Sequence, residues 1–230
     1  MTELLTGSGF FAIGLTVAAF CVGQACQKKW KKAIFNPILI GAALVMLILW
    51  LLDVPVAQYQ ADCAPLTYLL TPATVSLAIP LYRQLDKLKR HFKAILVGIC
   101  SGVLASGLTI LGLCALFGLS HTDYVTLLPK SVTTAIGMSL STELGGVAAI
   151  TVTSIVITGL LGNCMAVFLC RLFRITEPVA KGLAIGTASH ALGTSKALEI
   201  GEVEGAMSGL SIAVAGLMTV AVAQFFAGLV

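Results

Sequence analysis

Lys181–Gly205, KGLAIGTASHALGTSKALEIGEVEG, is a strongly polar stretch inside a chain that otherwise avoids water. Of the 230 residues, 58% are hydrophobic and 10% charged, and the mean hydropathy is +1.01. A soluble domain carries about 25% charged residues. The chain therefore reads as an integral membrane protein, and at about 20 apolar residues per span it has room for roughly six to eight passes. Polar, glycine-broken backbone at membrane depth persists where it is buried in protein or lines a water-filled cavity, because hydrocarbon supplies no hydrogen-bond partners. Leu127–Gly146, LLPKSVTTAIGMSLSTELGG, has the same character. Both stretches are expected to be broken or re-entrant helices.

Outward from these, apolar runs cover Gly7–Gln24, Ile34–Leu52, Leu66–Tyr82, Ala94–Phe117, Val147–Cys170 and Met207–Val230. Two short basic segments separate them, one holding Lys28, Lys29, Lys31 and Lys32 and the other Arg83, Lys87, Lys89, Arg90 and Lys93. The positive-inside rule puts both in the cytoplasm, along with Arg171 and Arg174. The predicted fold is an all-α polytopic membrane bundle forming a single domain over residues 1–230. It has about six transmembrane helices plus two broken or re-entrant segments, and both termini lie outside. Glu3 precedes the first run and no basic n-region does, so that run reads as a retained helix and not a cleaved signal. The +4 charge sits mainly in these loops and does not indicate a nucleic-acid partner. The seven cysteines form no C-x-x-C and mostly lie in apolar runs, implying neither metal nor disulfide.

Pro72–Leu81 aligns without gaps with Pro129–Met138, sharing proline, valine, alanine and isoleucine, which suggests an internal repeat. Paired interrupted segments in two halves point to a transporter's binding site. Proline suits the first helical position, so Pro72 and Pro129 are expected to open short helices whose N–H groups attract an anion. Thr71, Thr74, Ser76, Ser131, Thr133 and Thr134 surround those ends and supply hydroxyls. The competing reading is that these hydroxyls bond their own helices.

Lys130 is a candidate for neutralising a carboxylate, because an ionisable side chain in the membrane is costly and points to function. Snorkelling to headgroups is the alternative. Glu143 is a candidate partner for Lys130 or a proton carrier. The other stretch reads as part of the substrate site: Ser189 and Lys196 share a helical face, with Lys196 a second fixed positive charge, and His190 aligns with Thr194. His190, with Glu199, could couple transport to protons, while a hydrogen-bonded structural histidine is the competing reading. Glu202 and Glu204 read as solvated loop residues. Serine-protease chemistry is disfavoured, since Ser189 and His190 adjoin in sequence and no G-x-S-x-G elbow exists. No enzymatic activity and no cofactor are expected.

FNP at Phe35–Pro37, LTPATVSLAIPLY at Leu70–Tyr82, LPKSVTTAIGMSLS at Leu128–Ser141 and ASHALGTSKALEIGEVEGAMSGL at Ala188–Leu210 together resemble the LrgB/CidB family over essentially the whole chain. The resemblance implies a plasma-membrane protein of the bacterial inner membrane, with a small holin-like LrgA/CidA membrane partner. It also implies one of two functions. One is an antiholin-like regulator of murein hydrolase export and cell lysis. The other is a carrier of glycolate, glycerate, lactate or pyruvate-like acids, and the charged, hydroxyl-rich segments favour it. The expected partners are thus a small carboxylate, the bilayer, the holin-like protein and further copies of the chain itself.

Overall fold

The apolar runs form helices because a backbone in lipid must bond to itself, and the polar stretches turn back halfway. The structure, a computed structural model, describes residues 9–30, 35–69, 72, 75, 78–83 and 85–230. Its contacts group into two units, residues 1–76 and 77–230.

In the first unit, α1 (Gly9–Trp30) packs against α2 (Pro37–Leu51). Pro37 occupies the first turn of α2, and the Asn36 side chain accepts from Ile38 N at 2.8 Å, capping an end that lacks other acceptors. The pair runs antiparallel at close range. A methyl on Gly23 would meet Pro37 O at 2.6 Å, and one on Gly41 would lie 3.6 Å from Ala19. Asp53, at φ 52°, turns the chain into α3 (Val56–Asp62), where Tyr59 OH lies 2.6 Å from Thr16 Oγ1 of α1. A short α4 (Ala64–Tyr68) follows.

In the second unit, α5 (Ala78–Arg83) leads into α6 (Leu85–Phe117), which is kinked at His91. Gly118, at φ +62°, ends α6 in the left-handed conformation that glycine adopts without strain. α7 (His121–Leu127) then begins with a reciprocal cap between Ser120 and Asp123. A tight turn over residues 128–133 leads to α8 (Thr134–Glu143), and Gly145, at φ +84°, turns the chain into α9 (Ala148–Leu172). The α7–turn–α8 segment is a hairpin. His121 Nδ1 lies 2.9 Å from the Val230 carbonyl at the far end of the chain, whereas Ser131 in the turn lies 3.3 Å from Ser106, near the middle of α6. Thr151 Oγ1 of α9 lies 2.9 Å from Thr126 O and 2.7 Å from Ser141 Oγ, so one hydroxyl clamps both arms.

α10 (Pro178–Ile200) has enough residues to span about 35 Å if straight, but it is broken at His190 (φ 43°, ψ −137°). Gly193 beyond the break returns to within 3.1 Å of Ile185 O before it, counting an added methyl. Ile185, Ala197, Ile175 and Ile200 share one apolar cluster. α10 is therefore a second hairpin with its tip at His190. It lies along α11 (Glu202–Ala227), with Gly182 and Gly186 on one arm pressed to the backbone at Glu204 and Ser208. Since α11 starts at the open end of the α10 hairpin and finishes beside His121, the two hairpins enter the bundle from opposite ends.

Four described helices are long and apolar enough to cross a membrane, namely α1, α6, α9 and α11, and α2 is a shorter apolar helix. Five of the six expected spans thus coincide with described helices. The sixth, Leu66–Tyr82, is described only in part, since residues 70, 71, 73, 74, 76 and 77 lie outside the described residues, and the first repeat copy is interrupted in the same way. Pro129 does not open α8, contrary to the expectation. It is buried in the turn ahead of it, and Thr133 holds the N-cap position.

Gly186→Ala is expected to lower unfolding stability by about 1–3 kcal/mol through overpacking against the Ser208 backbone. Gly112→Ala, with open space around it on α6, should be neutral or stabilising by up to about 1 kcal/mol. Thermal unfolding in detergent compares them. At the α7 cap, the hydroxyl and amide of Ser120 hold the Asp123 carboxyl below its usual range. The cap's contribution is therefore present above the ordinary aspartate value near 3.9 and is lost as pH falls through the lowered one. Ser120→Ala, which removes the hydroxyl and keeps the amide, should raise Asp123 part of the way toward the ordinary range in a carboxyl 13C titration.

Candidate functional site

Both hairpin tips meet α9 at Ile155, which is fully buried. Gly137 of α8 leaves no space between the first hairpin and the Ile155 side chain, and His190 Nε2 lies 3.0 Å from the Ile155 carbonyl. A carbonyl only accepts, so Nε2 carries the proton and donates it. Gly159 and Gly162, about one and two turns further along α9, admit the His190 ring and the Ser189 side chain, since a methyl at either position would collide with them. Thr194 Oγ1 donates to His190 O at 2.9 Å and lies 2.7 Å from Ser208 Oγ of α11. Asn163 donates to Leu192 O at 2.6 Å. The interrupted backbone is thus served by side chains on α9, α10 and α11, as burial in an apolar medium demands.

Beside the tips, a cavity of about 940 Å³ runs between α6 and the first arm of α10, at the upper end of what small-molecule sites occupy. It extends along α6 from His91 to Thr109 and carries Lys130 and Ser131 in its wall. The Lys130 ammonium donates to Ser131 Oγ at 3.0 Å. Among the described residues it makes no ion pair; the two ion pairs found are Arg83–Glu202 at 3.6 Å and Lys196–Glu199 at 2.6 Å. A positive charge therefore borders a largely apolar hollow with no described carboxylate within ion-pairing distance, although Glu177 lines the same hollow.

The other predicted site residues divide. Thr71 and Thr74 lie outside the described residues, and Pro72 is exposed. Thr133 and Thr134 cap and begin α8 and do not line the cavity. Ser189, His190 and Thr194 are buried in the hairpin tip and its contacts, with the geometry of structural residues. Lys196 is bound to Glu199, which satisfies both charges on the exposed side of the second arm. Glu143 is exposed at the end of α8 and does not pair with Lys130. Glu204, read as a solvated loop residue, is instead 8% exposed in the first turn of α11, because the α10 hairpin covers it. The sequence reading missed the α6 wall. Gly98, Ser101, Gly102, Ala105, Ser106 and Thr109 recur at spacings of three and four, a stripe of small and hydroxylated residues on one face of an apolar helix. Glu177, which caps α10 by accepting from Ala180 N at 3.1 Å, lines the cavity as well.

Long apolar helices with two polar hairpins dipping between them define a multi-pass helical membrane protein. A model of the LrgB-like family matches residues 16–229. Similar proteins include the Antiholin-like protein LrgB of Bacillus cereus strains B4264 and AH187 and of Bacillus anthracis strain CDC 684 / NRRL 3495. Each is 33% identical over 222 residues, covering 96% of this chain and 96% of the relative. The chain belongs to the LrgB-like family. No solved structure matches it.

At His190 the usual helix preference should reverse. Alanine is normally better than glycine by about 1 kcal/mol in a helix, but a positive φ is strained for alanine and free for glycine. Both substitutions lose the bond to Ile155, so His190→Gly should unfold at a higher temperature than His190→Ala.

Proposed function

We propose that this protein is a carrier of small carboxylates, of the size of glycolate, glycerate, lactate or pyruvate, and that Lys130 neutralises the substrate's charge. The observation that carries the reading is the Lys130 ammonium in the cavity wall, unpaired by any described carboxylate and hydrogen-bonded to Ser131 alone. An unpaired ammonium away from water is costly, and an anion that enters the cavity offsets that cost. Support also comes from the two broken segments that enter from opposite ends and meet near the middle of α6 and α9, an arrangement suited to alternating access around a fixed site. A regulator of pores needs neither feature. Lys89, Arg90 and Lys93 of α6, Arg171 in the last turn of α9 and Arg174 just beyond it gather at the end from which the α10 hairpin enters. We assign that end to the cytoplasm of a bacterial inner membrane, with Val230 on the outer side.

The second reading, an antiholin-like regulator acting with a small holin-like partner, is favoured by the names borne by the relatives. Uptake of labelled acids into proteoliposomes separates the two. Saturable uptake is expected for wild type. In Lys130→Ala, loss of a desolvated charge contact worth about 2–5 kcal/mol should weaken apparent affinity by about 30-fold or more. Lys196→Ala, whose charge Glu199 already meets, should retain uptake. Absence of flux for every acid, with and without the small partner, alongside an altered lysis response, would replace the carrier with the regulator.

A further inference from the structure

We propose that a small chamber behind Ser131 binds a single ordered water, which joins the two hairpins to α6 through Thr187. The hydroxyl of Thr187, on the first arm of α10, is buried without a hydrogen-bond partner among the described residues. Buried hydroxyls are almost always bonded to protein or to water, and an exception calls for an unseen partner. Thr187 lines a chamber of about 20 Å³, together with the hydroxylated Ser106, Ser131 and Thr219 and the apolar Leu128 and Phe226. One water needs roughly 10–15 Å³ and two to four polar neighbours, so the chamber accommodates one and no small-molecule ligand.

The chemistry of the walls selects water over an ion. No carboxylate lines the chamber, and a cation there would face the Lys130 ammonium, which sits 3.0 Å from Ser131 Oγ on the other side of that hydroxyl. Ser131 accepts from Lys130, so its own proton is free to point toward Ser106 at 3.3 Å or into the chamber. A water accepting from this serine pair and donating to Thr187 satisfies the orphaned oxygen. It lies between the turn of the first hairpin, the first arm of the second hairpin and the middle of α6. Ser106, Ser131 and Thr187 border the large cavity as well, whereas Leu128 and Phe226 line the chamber alone, and the inference does not depend on what the large cavity carries.

X-ray radiolytic footprinting of the full chain in nanodiscs tests this, because radicals formed from a bound water oxidise the side chains beside it. In wild type, Leu128 and Phe226 should be labelled although both are buried. Thr187→Val should lose that labelling and lower the melting temperature, since an isosteric change that removes a bonded hydroxyl destabilises. Thr187→Ser should keep both. If Thr187→Val does not fold, Ser106→Ala is to reduce the labelling instead. Wild type without labelling at Leu128 and Phe226 overturns the proposal, as does a Thr187→Val variant that melts higher, because removing an unsatisfied hydroxyl is stabilising.

Discussion

Every peptide group that leaves a helix within the membrane must find its hydrogen bond inside the protein, and the second unit is arranged around two places where the chain does so. The turn at residues 128–133 is closed by its own backbone bonds, Lys130 N to Leu127 O at 3.1 Å and Val132 N to Pro129 O at 3.3 Å. The break at His190 is served by side chains, Asn163 of α9 donating to Leu192 O and Thr194 to His190 O, with Ser208 of α11 bonded in turn to Thr194. α6, α9 and α11 are long and apolar toward lipid, and they carry glycine or hydroxyl groups where they face the tips. Hydrophobicity drives insertion into the bilayer. The placement of these few polar groups decides which half-depth structure the inserted chain can hold.

Much of this could be read in the sequence. Polarity alone singled out Leu127–Gly146 and Lys181–Gly205, and both are hairpins, because a polar segment amid lipid has few options. Lys130 and Ser131 do border the cavity. Ser189, His190 and Thr194 were legible as polar and buried but not as to role. Ser189 and Thr194 are required by the break itself, and a helical projection through residues 189–196 fails once the backbone reverses at His190. Lys196 looked like a second substrate charge, yet its partner lies three residues away, a spacing that pairs side chains on any helix. The α6 stripe went unread because its alanines and glycines score as apolar, although their small size is what leaves the hollow open. Glu204 was misread because nothing local announces that another segment will cover it.

Function separates along the same line. The family is evident from the length of the match, and membrane residence from composition. What the protein does depends on whether the hollow beside Lys130 is filled by an anion, and the carrier reading differs from the names of its relatives on that point. A regulator and a carrier could share the whole helical frame and differ in the traffic through that hollow.

The two flanks of the α10 hairpin are built to different tolerances. Toward α11, Gly182, Gly186 and Gly205 bring main chain against main chain and side chain, leaving no slack. Toward α6, a methyl on Gly98 would find Leu183 at 3.8 Å and one on Gly102 would meet Thr187 at 2.7 Å, with the cavity opening alongside. The hairpin is therefore joined backbone to backbone along one edge and held by side chains, with open space between, along the other. Its tip is locked as tightly into α9 at Gly159 and Gly162, and α11 shares a buried apolar core with α6, so the stretch bordering the cavity is where the hairpin is least confined.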